Sequence, residues 1–176
     1  LSHRGATGGD KHTGDGAGIM IQIPDAFLRR VRPAAAVALP PVGHYGAGMF
    51  FMPRDEAGRA VCAGIVETVT REAHLDFLGW RDVPVDKAAL GAKARDECPF
   101  VRQCFIASRT LRDAALERAL FNARKTMLRR MRAPGHEACS DFYVCSLSTR
   151  TLVYKGLLMA TQLTGFYADL TDESMV

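Results

Sequence analysis

No apolar run in this chain approaches the roughly 18 residues that a membrane-spanning helix needs. Residues 1–20 are polar and glycine-rich, without the apolar block of a secretory signal. The five cysteines (Cys62, Cys98, Cys104, Cys139 and Cys145) are odd in number and include no Cys-x-x-Cys pair. That usage leads us to expect reduced thiols in a cytoplasmic protein. His3, His12, His44, His74 and His136 lack metal-ligand spacing, and only His3 and His12 lie near one another. A zinc site would want further ligands at short spacing, so no metal is expected. Internal repeats and low-complexity linkers are also missing.

What is present suits a folded domain. At 48% hydrophobic and 24% charged, the 176 residues can bury a core and make one domain or a large piece of one. The net charge of +4 is modest. Arg112, Arg118, Arg124, Lys125, Arg129, Arg130 and Arg132 crowd one segment. No aromatics alternate with these arginines to stack bases, so the segment reads as a solvated helix face, or one that meets another domain, and no nucleic acid is expected. The chain opens at Leu1 without a methionine and closes at Val176 just after an acidic stretch. We expect both ends to be cut from a longer protein.

The most selective stretch runs from His3 to Ile19 and holds six glycines. Glycine supplies positive φ and close backbone approach, so this run bends around a ligand, a catalytic loop or a neighbouring strand. It is no P-loop, because Lys11 follows Asp10 rather than a glycine. It is no dinucleotide fingerprint either, because Ile19 stands where the third glycine would be. An EF-hand loop from Asp10 would place His12 and Gly14 where oxygen ligands belong. A purely architectural turn into a buried strand remains open.

Periodicity places the elements. Residues 17–23, 46–52, 77–83 and 101–107 read as strands, and Pro24 opens a helical turn through Arg30. Residues 55–75 show a helical stripe of Val61, Cys62, Ile65, Val66 and Val69. Residues 112–132 show a second, with Leu116, Leu120, Ala123, Met127 and Leu128. The two helices should pack side by side on one sheet. Residues 142–148 and 151–157 read as a hairpin, with Tyr143, Cys145 and Leu147 on one face and Phe142, Val144 and Ser146 on the other. A last helix is expected from Ala160 to Tyr167, while residues 86–97 are ambiguous. This order favours an α/β (α+β) layered sandwich with mainly antiparallel sheets.

Five segments carry a resemblance, in order along nearly the whole chain. They are HRGA-x-G-x-D-x-x-TGDGAGI (His3–Ile19) with QIPD-x-F (Gln22–Phe27), the strand Gly46–Pro53, and GWR-x-VP-x-D (Gly79–Asp86). FY-x-CSLS-x-RT-x-VYKG (Phe142–Gly156) and FY-x-DL (Phe166–Leu170) complete the set. Together they resemble the glutaminase domain of glutamate synthase large subunits, a class II glutamine amidotransferase of the N-terminal-nucleophile hydrolase type. The resemblance implies part of an αββα sandwich and makes residues 1–176 an incomplete amidotransferase domain.

It further implies that an N-terminal cysteine attacks the glutamine side-chain amide, with its own α-amine as base. That cysteine would lie upstream of the glycine-rich run, and the glutamine-clamping arginine and the oxyanion-hole Asn-Gly downstream of residue 170. No catalytic residue is therefore expected here. The site support expected in this chain is Arg4, Gly5, Asp15 and Gly16. Arg4 would hold the cysteine loop, or equally pair with Asp10 or Asp15 as architecture, and Thr13 and Asp15 could cap local backbone. In the parent, ammonia from glutamine would pass to 2-oxoglutarate. FMN, an iron–sulfur cluster and a small electron-donating subunit would belong to parts other than these residues. The alternatives are a stand-alone class II amidotransferase with another acceptor and a non-catalytic scaffold domain.

Overall fold

A computed structural model describes residues 16–32 and 37–175. Its strands are β1 (Ala17–Gln22), β2 (Tyr45–Met52), β3 (Asp76–Asp82), β4 (Phe100–Ala107), β5 (Tyr143–Ser148) and β6 (Thr151–Gly156). Its α-helices are α1 (Asp25–Val31), α2 (Glu56–Glu72), α3 (Ala92–Asp96), α4 (Asp113–Met131) and α5 (Leu163–Phe166). All strand pairs are antiparallel. Four strands form a sheet in the order β3-β4-β2-β5, and β1 pairs with β6 in a second sheet.

The central strand explains the layering. β2 is apolar throughout because both its faces are covered. Phe50 and Met52 join Cys104 and Ile106 of β4 in a core beneath α2 and α4. Ala47 and Met49 join Phe105 of β4 in a second core against Leu152 and Tyr154 of β6. The two long helices share the first core, as their stripes require. In α4, Leu116, Leu120, Ala123, Met127 and Met131 are buried, each large side chain contributing about 1.5–3 kcal/mol by area removed from water. Asp55 caps α2 by accepting from the Gly58 amide at 2.6 Å. Among the described residues, no long helix covers the outer face of β1 and β6.

The expectation for α2 needs one correction. Its buried stripe runs through Gly58, Cys62, Val66 and Val69, whereas Val61 is 42% exposed. The stripe follows i, i+4, i+8 and i+11, which turns Val61 out toward solvent. The expected last helix is also shorter, a 3-10 turn at Ala160–Gln162 followed by α5. The ambiguous segment 86–97 folds as a 3-10 turn at Lys87–Ala89, capped by Asp86, and then α3.

The expected hairpin does not form as one. β5 lies beside β2, while β6 crosses to β1 in the other sheet. Side chains replace the missing ladder at this corner. Ser148 Oγ accepts from the Arg150 and Thr151 amides at 3.0 and 3.3 Å, and Ser146 Oγ accepts from the Val153 amide at 3.1 Å. Glu117 accepts from both the amide and the hydroxyl of Thr149, at 2.6 and 2.7 Å. The expected faces also change. A bulge sets Ser146 and Val144 opposite the consecutive Met49 and Phe50, so Cys145 is the extra residue. Val144 and Leu147 then share the helix-side core with Phe142, and Cys145 packs on the core between the sheets.

The carboxy-terminal turns are tied back to α1, where Arg30 donates to Asp172 and Ser174. Hydrogen bonds from the Ser174 hydroxyl and amide, helped by Arg30, hold the Asp172 carboxyl at about 2, against an ordinary value of 3.8. A depressed carboxyl stabilises the folded state above its ordinary value and loses that contribution as pH falls through the depressed one. The tie is therefore expected to weaken only as pH drops from 3.8 toward about 2. A carboxyl-detected NMR titration of Asp172 should show a midpoint near the lower value. A midpoint at the ordinary value would mean that Ser174 and Arg30 do not hold it.

Candidate active-site cleft

The glycine-rich run enters the described fold at Gly16, whose φ of 125° suits glycine and strains other residues. It leads directly into β1. There Gly18 lies so close to β6 that a Cβ would sit 2.6 Å from the Lys155 Cβ and 2.8 Å from the Tyr154 carbonyl oxygen. Only a residue without a side chain fits. Beside this contact opens a cleft of about 590 Å³, lined by residues 16–20, Phe51, Val153 and Lys155–Leu157. A neighbouring cavity of about 450 Å³ shares Phe51, Gly156 and Leu157 with it and carries Arg54, Glu97 and Asp141 among mostly apolar walls.

Ile19, Met20 and Leu157 leave a large apolar surface exposed at the cleft. Its one cation, among the described lining residues, is Lys155. The Lys155 ammonium lies 4.2 Å from the Tyr143 ring centroid and donates to the Tyr143 hydroxyl at 2.7 Å. A cation held on an aromatic face beside a glycine-bared strand can receive a polar substrate or a chain segment carrying one.

Of the four support residues expected from sequence, Gly16 stands at the mouth of this cleft. Arg4, Gly5 and Asp15 lie outside the described residues. So do Asp10 and Thr13, and with them the choice between a catalytic and an architectural Arg4.

Thiol environments bear on which group could be a nucleophile. Burial pushes the thiols of Cys62, Cys98 and Cys104 up, and that of Cys145 to about 12. These four are held as thiols near neutral pH, whereas nucleophilic attack needs a thiolate. Cys98 is the one that borders the neighbouring cavity, where it is 3% exposed.

A buried polar cluster behind the cleft had no assigned role from sequence. Arg81 of β3 forks onto Asp169, donating at 2.8 and 2.7 Å, and also donates to Gln103 Oε1 at 2.8 Å. Gln103 Nε2 donates to the Tyr154 hydroxyl at 3.1 Å, and that hydroxyl donates to Asp169 at 2.9 Å. Tyr167 donates to the Lys155 carbonyl at 2.7 Å. Burial, reinforced by the Asp169 charge, pushes the Tyr154 hydroxyl far up, so it stays protonated as a donor. The GWR, VYKG and FY-x-DL segments thus meet in one network, which fixes β6 and Lys155 against the four-stranded sheet.

The profile of the class II glutamine amidotransferases matches residues 1–176. The chain is 43% identical over 178 residues to the glutamate synthase (NADPH) large chain of Bacillus subtilis, covering 100% of this chain and 11% of that one. It is 36% identical over 173 residues to ferredoxin-dependent glutamate synthase 2 of Synechocystis, covering 98% and 11%. It is 36% identical over 174 residues to the glutamate synthase (NADPH) large chain of Azospirillum brasilense, covering 97% and 11%. The chain therefore spans about 11% of the length of the curated relatives it matches. With its antiparallel sandwich and a profile match from end to end, this chain belongs to the class II glutamine amidotransferases.

Proposed function

We propose that residues 1–176 are part of the glutaminase domain of a glutamate synthase, and that the parent hydrolyses L-glutamine to glutamate and ammonia. The observation that carries this reading is the whole-chain family match, together with the three relatives above, each named as a glutamate synthase. In the parent the ammonia passes to 2-oxoglutarate in the synthase part of the same polypeptide. That part holds FMN and an iron–sulfur cluster, with a small subunit as electron donor and a cytoplasmic location.

The residues of this chain then act as the wall of the reaction site. The nucleophile is the N-terminal cysteine of the parent. Gly16 turns the chain into β1 with a positive φ, Gly18 lets β1 close on β6, and Lys155 sets a positive charge at the cleft. In this reading Arg4 is the residue that holds the cysteine loop, with Gly5 and Asp15 as its support. The thiols of Cys62, Cys98, Cys104 and Cys145 take no part, because burial keeps them protonated.

The Arg4→Ala variant of the full-length parent tests the role of the glycine-rich run. It should lose glutamine-dependent glutamate synthesis by about tenfold or more, the factor that 1.4 kcal/mol of lost positioning gives, while ammonia-dependent synthesis stays near the wild-type rate. Equal loss of both activities would assign Arg4 to folding instead.

A further inference from the structure

The fold sorts the cations that crowd residues 112–132. Arg124 donates to the Val144 carbonyl at 3.1 Å, and Arg130 forks onto Glu72 of α2. Arg118, Lys125 and Arg129 of α4, and Arg132 just past its end, are exposed. Among the described residues, none of these four makes an ion pair or a hydrogen bond. With Phe121 they fall at i, i+3, i+7, i+11 and i+14, which is a single stripe about 21 Å long at the helical rise. Phe121 stands in it 56% exposed, with the Lys125 ammonium 5.4 Å from its ring centroid. Glu117 of α4 is already held by the Thr149 amide and hydroxyl. The stripe costs the helix stability by itself, because Lys125 and Arg129 are like charges four residues apart and Arg129 and Arg132 three.

We propose that this stripe docks an acidic segment of the parent polypeptide outside residues 1–176. Its carboxylates pair with Arg118, Lys125, Arg129 and Arg132, and an apolar side chain of it covers Phe121. The proposal rests on the reading of this chain as part of a glutamate synthase, since the relatives are chains of which it covers 11%. A segment tethered in the same polypeptide meets the stripe at high effective concentration, and charge complementarity then sets where it lies. A second copy of these residues fits the stripe less well. α2, the other long helix, carries only Glu56, Glu67 and Glu72, and Trp80 and Arg130 already engage the last two. A nucleic acid also fits less well, because the stripe offers a single ring for stacking and the net charge is only +4.

The test couples carboxylates to amines in the native full-length parent with a carbodiimide, then digests it and maps the linked peptides. Lys125 is the lysine of the stripe, so it should be joined to an aspartate or glutamate outside residues 1–176. A mixture of light and isotope-labelled chains separates links within one chain from links between two. In the double variant Arg118→Glu with Arg129→Glu, which keeps Lys125, the yield of this link should fall several-fold. Both positions are exposed, so the circular dichroism spectrum should not change. The links are read without turnover. A parent that carries the Lys125 link but makes no glutamate from glutamine would sink the functional reading and keep the docking surface. Four results would overturn the docking surface. They are a Lys125 left unlinked, bare or under co-purified nucleic acid, while other lysines react; links only to carboxylates within residues 1–176; links of mixed isotope mass, which mean a second copy; and an undiminished link in the double variant.

Discussion

Replacing Asp169 with alanine is expected to destabilise the fold by about 3–5 kcal/mol, because it leaves a buried guanidinium without its carboxylate. The Arg81 side chain is 8% exposed and that of Asp169 3%, so water cannot stand in for the lost partner. Gln103 Oε1 would remain on Arg81, but a neutral amide oxygen does not balance a buried charge. Tyr154 would also lose the acceptor of its hydroxyl proton. The paired variant Arg81→Met with Asp169→Leu should recover most of the loss, since removing both charges removes both desolvation costs. Urea unfolding midpoints of the three proteins decide the matter. A loss below about 1 kcal/mol in Asp169→Ala would place the pair among ordinary surface bridges.

Gly18→Val should separate β1 from β6. The new Cβ would begin 2.6 Å from the Lys155 Cβ and 2.8 Å from a carbonyl oxygen, and neither neighbour is the free end of a flexible side chain. Overpacking of this kind costs about 1–3 kcal/mol. The cleft depends on this contact, so the parent should lose glutamine-dependent synthesis while keeping ammonia-dependent synthesis. Gly64→Ala is the matched control. Nothing lies within 4 Å of its would-be Cβ and it sits inside α2, so it should stabilise by about 0.5–1 kcal/mol. Gly18→Val as stable and as active as Gly64→Ala would remove the close approach from the account.

The elements that carry their own period were legible in the sequence. α4 shows a complete helical stripe, β2 reads as a short apolar strand and β4 as an alternating one, each from its own residues. Pairing was not legible where partners are distant. Phe142–Gly156 has the local signs of a hairpin, yet β6 pairs with β1 from the start of the chain. What separates β5 from β6 is the hydroxyls of Ser146 and Ser148 taking backbone amides, and a bulge at Cys145. Neither changes the alternation that the eye follows. Val61 was placed on the buried face because apolar character marks a stripe only to within one residue.

The site was legible as a place more than as a mechanism. The glycine run pointed to close backbone approach, and Gly18 meets that description against Lys155. The Arg81–Asp169 pair was missed because its halves lie 88 residues apart in two segments that served only as family signatures. A signal was available all the same. GWR and FY-x-DL each set a charged residue among apolar ones, which asks for a buried partner of opposite sign.

The central claim is that these residues belong to a domain that takes nitrogen from glutamine and delivers it to a synthase. The most direct measurement gives the full-length parent glutamine labelled at its amide nitrogen, together with 2-oxoglutarate and a reductant, and follows the label by mass spectrometry. The account predicts label in the amino group of newly made glutamate. Unlabelled product, or label that stays in the glutamine amide, would contradict it.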